Sequence, residues 1–205
     1  MRLFAFTDTH GNKKIISVLI KKIKLSKPDI IICAGDLTNF SRNLQKLLSE
    51  FKKTNLPLLI IPGNHETNPS LTKVCQKTEF AVNIHKKLYQ INNYLFFGFG
   101  LGGFVEKNLE LEELIPKIKK LSKGKKLIFV THQPPYKTKL DHLDSVYVGN
   151  KSIRKVIEKT FMQGGIKSDS FYKSKCKEFG IEILHKDETE NHCHGYALSQ
   201  HGIEL

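Results

Sequence analysis

The sequence predicts an α/β fold, on three observations. Short apolar runs of strand length recur along the chain, amphipathic lysine-rich segments of helical period alternate with them, and four of the runs end in Asp, Asn or His. A chain of 205 residues, 40% hydrophobic and 26% charged, is one domain, with or without an appendage, and long enough to bury a sizeable core. That composition excludes a disordered chain.

In order, residues 2–7 read as a buried strand. Residues 13–25 carry Ile15, Ile16, Leu19 and Ile23 at helical spacing, and Lys27-Pro28 ends that helix. Residues 29–34 are a second strand. Residues 39–51 are a helix with Leu44, Leu47, Leu48 and Phe51 on one side, and residues 57–61 a third strand. Residues 94–99 form a short strand ahead of Gly98, Gly100, Gly102 and Gly103, read as tight turns. Residues 109–121 are a helix, acidic early and basic late, as the helix dipole favours. Residues 126–130 are a strand and residues 151–159 a short helix.

No stretch approaches the roughly 18 uninterrupted apolar residues of a membrane helix. The apolar run Leu3–Phe6 meets Asp8 at once, the mark of a strand and not of a signal peptide. A secretory route, a lipid anchor and a membrane span all lose weight, and the expected location is cytoplasmic. Cys33, Cys75, Cys176 and Cys193 form no C-x-x-C pair, so reduced thiols are expected. The net charge of +13 comes almost wholly from lysine and reads first as solvated helix faces. A basic surface for nucleic acid, as substrate or surface ligand, is the alternative.

Four strands end alike. Phe4–Thr7 runs into Asp8-Thr9-His10-Gly11, and Ile30–Ala34 into Gly35-Asp36. Leu58–Pro62 runs into Gly63-Asn64-His65-Glu66, and Leu127–Val130 into Thr131-His132. Each ending alone is ordinary turn or cap chemistry. Four from one sheet are hard to produce that way, and in open α/β sheets the carboxyl ends of strands converge on one crevice. Asp, Asn and His without thiolate suit Mn²⁺, Fe or Zn²⁺ more than Ca²⁺. A carboxylate bridging two such ions makes a hydrolytic site in which a metal-bound hydroxide attacks a phosphoryl group. A histidine that is not a ligand protonates the leaving oxygen.

These four phrases, in this order, resemble the motifs of the calcineurin-like metallophosphoesterases over about residues 1–160. Gly11 and His132-Gln133-Pro134-Pro135-Tyr136 add to the likeness. The resemblance implies a four-layer α/β/β/α sandwich and a small phosphatase or phosphodiesterase acting on phosphomonoesters or phosphodiesters. It implies two divalent metal ions, Mn²⁺ first, with Fe, Zn²⁺ or Ni²⁺ as alternatives. Asp8 and His10 would hold one ion, Asp36 would bridge, and Asn64 and His132 would hold the other. His65 would be the catalytic residue facing the substrate. Glu66 would support a neighbour by hydrogen bonding or start a helix.

The family also supplies a Gly-His-x-His motif after one more buried strand, and Phe161-Met162-Gln163-Gly164-Gly165 does not provide it. Residues 161–205 carry five Lys against seven acids, which leaves +15 on residues 1–160. They read as an atypical tail: an appendage, disorder or the product of a frameshift. His192 and His194 are candidate ligands there, but no strong strand precedes them, which favours an incomplete metal site with both histidines silent. An impaired or non-catalytic relative, serving as a basic nucleic-acid-binding module, is therefore the alternative function. His85, His142, His185 and His201 read as surface histidines, and Asp141 and Asp144 as a solvated loop.

Overall fold

The structure is a computed structural model that describes residues 1–103, 105–138, 140–143 and 145–160, and the backbone of 196–199. Strands β1 (Leu3–Phe6), β2 (Ile30–Cys33), β3 (Leu58–Ile60) and β4 (Ala81–Asn83) form an all-parallel sheet in that order. A second sheet runs β10 (Tyr196–Ser199), β7 (Lys126–Thr131), β6 (Tyr94–Phe99), β5 (Leu88–Ile91), with β6 and β7 parallel and the outer strands antiparallel.

Period-two alternation divides each central strand between two cores. Ile30 and Ile32, Leu59, Phe96, Ile128 and Val130 meet between the sheets. Ile31 and Cys33, with Leu58 and Ile60, turn outward onto helices α1 (Lys13–Ser26), α2 (Leu44–Glu50) and α3 (Asn68–Cys75). Leu127 and Phe129, with Leu95 and Phe97, turn the other way onto α4 (Leu109–Glu113), α5 (Ile115–Leu121) and α6 (Lys151–Thr160). The result is the four-layer α/β/β/α sandwich. Strands buried on both faces are continuously apolar, which is why β2, β3 and β7 stand out in the sequence.

The helices begin and end for local reasons. Asn12 caps α1 by accepting from the backbone N–H of Lys14 at 3.0 Å and of Ile15 at 3.2 Å. The helix stops at Lys27, left-handed with φ of 46°, just before Pro28. Two expected helices differ. The segment expected from residue 39 is helical only from Leu44, because Phe40, Ser41 and Asn43 are left-handed. The helix expected over 109–121 breaks at Leu114, since Pro116 has no N–H to continue it. α3, β4 and β5 were not expected. A 3₁₀ helix (Phe51–Thr54) that follows α2 and a two-stranded hairpin, β8 (His142–Leu143) with β9 (Val146–Tyr147), complete the described elements.

β10 supplies a strand where the tail promised none. It runs antiparallel to β7 with Tyr196 opposite Thr131, so its first residue lies at the carboxyl end of β7. His192 and His194, like His185, His201 and Asp144, lie outside the described residues.

His85 is not a surface residue. It is buried just past β4, where its Nδ1 accepts from the Gly100 N–H at 2.9 Å and ties the two sheets together. Its Nε2 has no partner among the described residues. Burial first, then Lys86, pushes its pKa down from 6.5 to about 4. The unfolded chain therefore takes up a proton between about pH 6.5 and 4 that the native protein refuses. Stability should fall by up to ~3 kcal/mol as pH drops through that window. Urea titrations across it should show the fall, and His85→Gln should flatten it. An equal slope in both proteins would remove His85 as the cause.

Candidate metal centre

The four strand endings converge, but from two sheets and not from one: β1, β2 and β3 belong to the parallel sheet and β7 to the sheet packed against it. Past β1 and β2 the chains stay zipped: the N–H of Asp8 donates to Gly35 O at 3.1 Å, that of His10 to Asp36 O at 2.9 Å, and that of Gly11 to Leu37 O at 2.8 Å. Asp8, His10 and Asp36 all sit in the left-handed region, at φ of 56°, 46° and 51°. Backbones held this way by non-glycine residues are characteristic of functional sites. Gly35 and Gly63 permit the close approach of the loops. A Cβ on Gly35 would lie 2.7 Å from His132 Nδ1, and one on Gly63 would lie 2.0 Å from Asp36 Oδ1.

Glu66 fastens the two loops. Its Oε2 accepts from the N–H of Asp36 at 2.9 Å and of Gly63 at 3.0 Å. Its Oε1 accepts from Thr38 N–H at 2.7 Å and Thr38 Oγ1 at 2.8 Å. It is a supporting residue and not a helix start, since Thr67 caps α3.

Asp36, only 2% exposed, is the centre. Its Oδ1 accepts from the His65 N–H at 2.8 Å. Its Oδ2 faces three imidazole Nε2 atoms, of His132 at 3.6 Å, His65 at 3.9 Å and His10 at 4.0 Å. These separations are too long for hydrogen bonds. They resemble the edges of a coordination polyhedron, since two ligand atoms about 2.1 Å from one ion at a tetrahedral angle lie ~3.4 Å apart. The 3.5 Å between Asp8 Oδ1 and His10 Nε2 fits the same spacing. Asp8, Asp36 and His132 form one group whose ligand atoms all lie within 4.8 Å of one another, and His10, Asp36 and His65 form a second. Asp36 belongs to both.

The tautomers agree with metal binding. His132 Nδ1 lies 2.9 Å from Ala34 O, which can only accept, so Nδ1 carries the proton. Nε2, 3.0 Å from the side-chain amide of Asn64, is then left with the lone pair that a metal ion needs. His10 Nδ1 similarly faces Asn39 Oδ1 at 3.1 Å. Histidines that bind metals nearly always donate their other N–H in this way. His65 differs, for its Nδ1 has no partner among the described residues. Its ring is held by contacts, edge-on to His10 at 4.8 Å and tilted on Phe40 at 4.6 Å. Asp8 first, and Asp36 with it, raise the pKa of His10 against the opposing effect of burial. A positive charge is thus favoured here.

A family model for the calcineurin-like phosphoesterases matches residues 1–166. The chain belongs to the calcineurin-like phosphoesterases. This phosphoesterase is 31% identical over 168 residues to an uncharacterized protein of Methanocaldococcus jannaschii, covering 77% of this chain and 73% of that one. It is 29% identical over 144 residues to a probable glycerophosphodiester phosphodiesterase of Arcobacter nitrofigilis, covering 65% of this chain and 52% of that one. A crystal structure from Thermus thermophilus shares the fold with a TM-score of 0.63 at 18% identity, covering 77% of this chain and 76% of that one. No helix among the described residues is long and apolar enough to cross a membrane.

Two expectations change near this centre. Asp141 is no solvated loop residue, being 2% exposed. Its carboxylate accepts from the N–H groups of Lys137 at 2.9 Å, Thr138 at 2.6 Å and Gly149 at 3.0 Å and so closes the loop that follows His132. The loop before α2 also contributes: Asn39 orients His10, and the Ser41 N–H donates to His65 O at 2.9 Å. A helix pattern read from Leu44 onward gives no sign of that.

Proposed function

We propose that this phosphoesterase is a metal-dependent hydrolase of phosphodiesters or phosphomonoesters, built on a two-metal centre that Asp36 bridges. The observation that carries the reading is the buried Asp36 carboxylate, whose Oδ2 lies 4.0 Å from Nε2 of His10, itself 3.5 Å from Asp8 Oδ1, and 3.6 Å from Nε2 of His132, itself 3.0 Å from Asn64 Oδ1. Asp8 and His10 would hold one ion, and Asn64 and His132 the other. Two divalent ions, Mn²⁺ foremost, supply when bound an acidified water and charge stabilisation for in-line phosphoryl displacement.

The chain's own groups do the rest. Ala34 O and Asn39 Oδ1 fix the tautomers of His132 and His10. His65, without the orienting hydrogen bond of a ligand, donates a proton to the leaving oxygen. The register of β10 supports His192 and His194 as further ligands, because the chain enters that strand at the end of β7 that carries His132. The expected setting is the cytosol.

The purified protein should hydrolyse bis(4-nitrophenyl) phosphate with Mn²⁺, and a chelator should stop it. No turnover with any divalent metal would overturn the proposal. His65→Asn should keep its metal and lose ~10²–10⁴-fold in kcat for an alkyl diester, whose leaving oxygen needs a proton. The loss should be smaller for a nitrophenyl ester, and metal lost along with activity would make His65 a ligand instead.

A further inference from the structure

His65 lacks what orients the imidazoles of His10 and His132. Ala34 O fixes the ring of His132 and Asn39 Oδ1 that of His10, whereas His65 Nδ1 is buried with no partner among the described residues. The backbone of His65 is tied down, its N–H donating to Asp36 Oδ1 at 2.8 Å and its carbonyl accepting from the Ser41 N–H at 2.9 Å. Neither bond fixes χ2, about which an imidazole has broad torsional freedom.

Phe40 meets that ring, centroid to centroid at 4.6 Å with a tilt of 47°. Burial of its own surface does not explain its place, since Phe40 is 72% exposed. Backbone preference does not explain it either, since its φ of 52° lies in the left-handed region that bulky residues avoid. A residue both exposed and strained persists only where its surroundings over-determine it. Here they are its two neighbours. Asn39 Oδ1 lies 3.1 Å from His10 Nδ1, and Ser41 is bonded to His65 O and accepts on its hydroxyl from the Thr67 N–H at 3.4 Å. The loop that carries Phe40 is thus anchored to the residue whose ring Phe40 touches.

We infer that Phe40 is a positioning residue for His65, its ring contact standing in for the absent Nδ1 hydrogen bond and holding Nε2 in place, 3.9 Å from Asp36 Oδ2. This rests on the phosphoesterase reading above and adds how its proton donor is aimed. Without the contact the imidazole turns about χ2 and Nε2 leaves the line of proton donation. A misplacement on the order of 1 Å costs up to ~10²-fold in rate. No atom of Phe40 enters the reaction, so the loss belongs to kcat and not to metal binding.

The test compares diphenyl phosphate with bis(4-nitrophenyl) phosphate, diesters of like shape whose leaving groups differ in their need for a proton. With Mn²⁺ present, Phe40→Ala should lower kcat for diphenyl phosphate by ~10–10²-fold and for the nitrophenyl ester much less, with KM and manganese content near parental. Phe40→Tyr should restore kcat. Phe40→Gly, which suits the left-handed backbone, should melt no lower than the parent and yet lose as much kcat as Phe40→Ala. Added to His65→Asn, Phe40→Ala should cost nothing more, because the two side chains act as a unit. A residue needed only for the fold would depress both esters alike and add its loss to that of His65→Asn. Either of those results, or parental kcat in Phe40→Ala, would overturn the inference and leave the hydrolase standing. Nuclear magnetic resonance of the metal-free protein reads the contact without turnover: ring-current shifts of the His65 C–H signals should collapse in Phe40→Ala and persist in Phe40→Tyr. If the unaltered protein turned over no ester, that collapse would uphold Phe40 as what fixes the ring and overturn the hydrolase, and unmoved signals would overturn both.

Discussion

Asp36→Asn should abolish turnover while the protein stays folded. The amide is isosteric and its oxygen still accepts the His65 N–H that Asp36 Oδ1 now receives at 2.8 Å. What disappears is the negative charge whose Oδ2 lies within 4.0 Å of the Nε2 atoms of His10, His65 and His132 together. A bridging carboxylate offsets the mutual repulsion of two cations, and a neutral amide does not. Losing the several kcal/mol with which such ions stabilise the transition state lowers kcat by ~10³-fold or more. The melting temperature of the metal-free variant should stay close to that of the parent, because a charge at 2% exposure is removed and no apolar contact with it. Parental kcat with parental metal content would rule out the bridge.

Glu66→Ala should instead cost stability. The carboxylate is 3% exposed and accepts four hydrogen bonds, from the N–H groups of Asp36, Gly63 and Thr38 and from the Thr38 hydroxyl. Each buried donor left without an acceptor costs about 1–3 kcal/mol, so the total should be ~3–5 kcal/mol with water entering in part. For a chain of this size that lowers the melting temperature by roughly 10 °C. Metal affinity should fall too, because the loops holding Asp36 and Asn64 come apart. Glu66→Gln separates charge from geometry. It can accept from Asp36 and Gly63 and donate to the Thr38 hydroxyl, and it orphans only the Thr38 N–H. Its loss should be the smaller of the two. Unchanged melting in Glu66→Ala would contradict this account of the loops.

What the sequence discloses follows from how each part is held. β2, β3 and β7 were legible because burial on both faces demands unbroken apolar runs, and their carboxyl ends point directly to Asp36, Asn64, His65 and His132. α3 was not legible: it spans Asn68–Cys75, begins with Asn68-Pro69 and buries only Leu71 and Cys75. β4 and β5 are three and four residues long and mix in Asn83, Tyr89 and Gln90, below the length at which a period can be read. The roles of Glu66 and Asp141 are backbone hydrogen bonds, and those leave no mark on composition or spacing. Phe40 was absorbed into a helix pattern that is correct from Leu44 onward. Its left-handed backbone belongs to a loop anchored at His10 and His65, and that anchoring exists only once the strands have met.

The central claim is a centre for two ions around one carboxylate, and counting bound manganese tests it most directly. Equilibrium dialysis of the full chain against Mn²⁺, read by metal analysis and by electron paramagnetic resonance, should give two ions per chain. The spectrum should show their magnetic coupling. In Asp36→Asn the coupling should vanish and the count should drop, and it should drop in His192→Ala and His194→Ala if the tail completes the site. A single uncoupled ion in the unaltered protein, or none, would contradict the account.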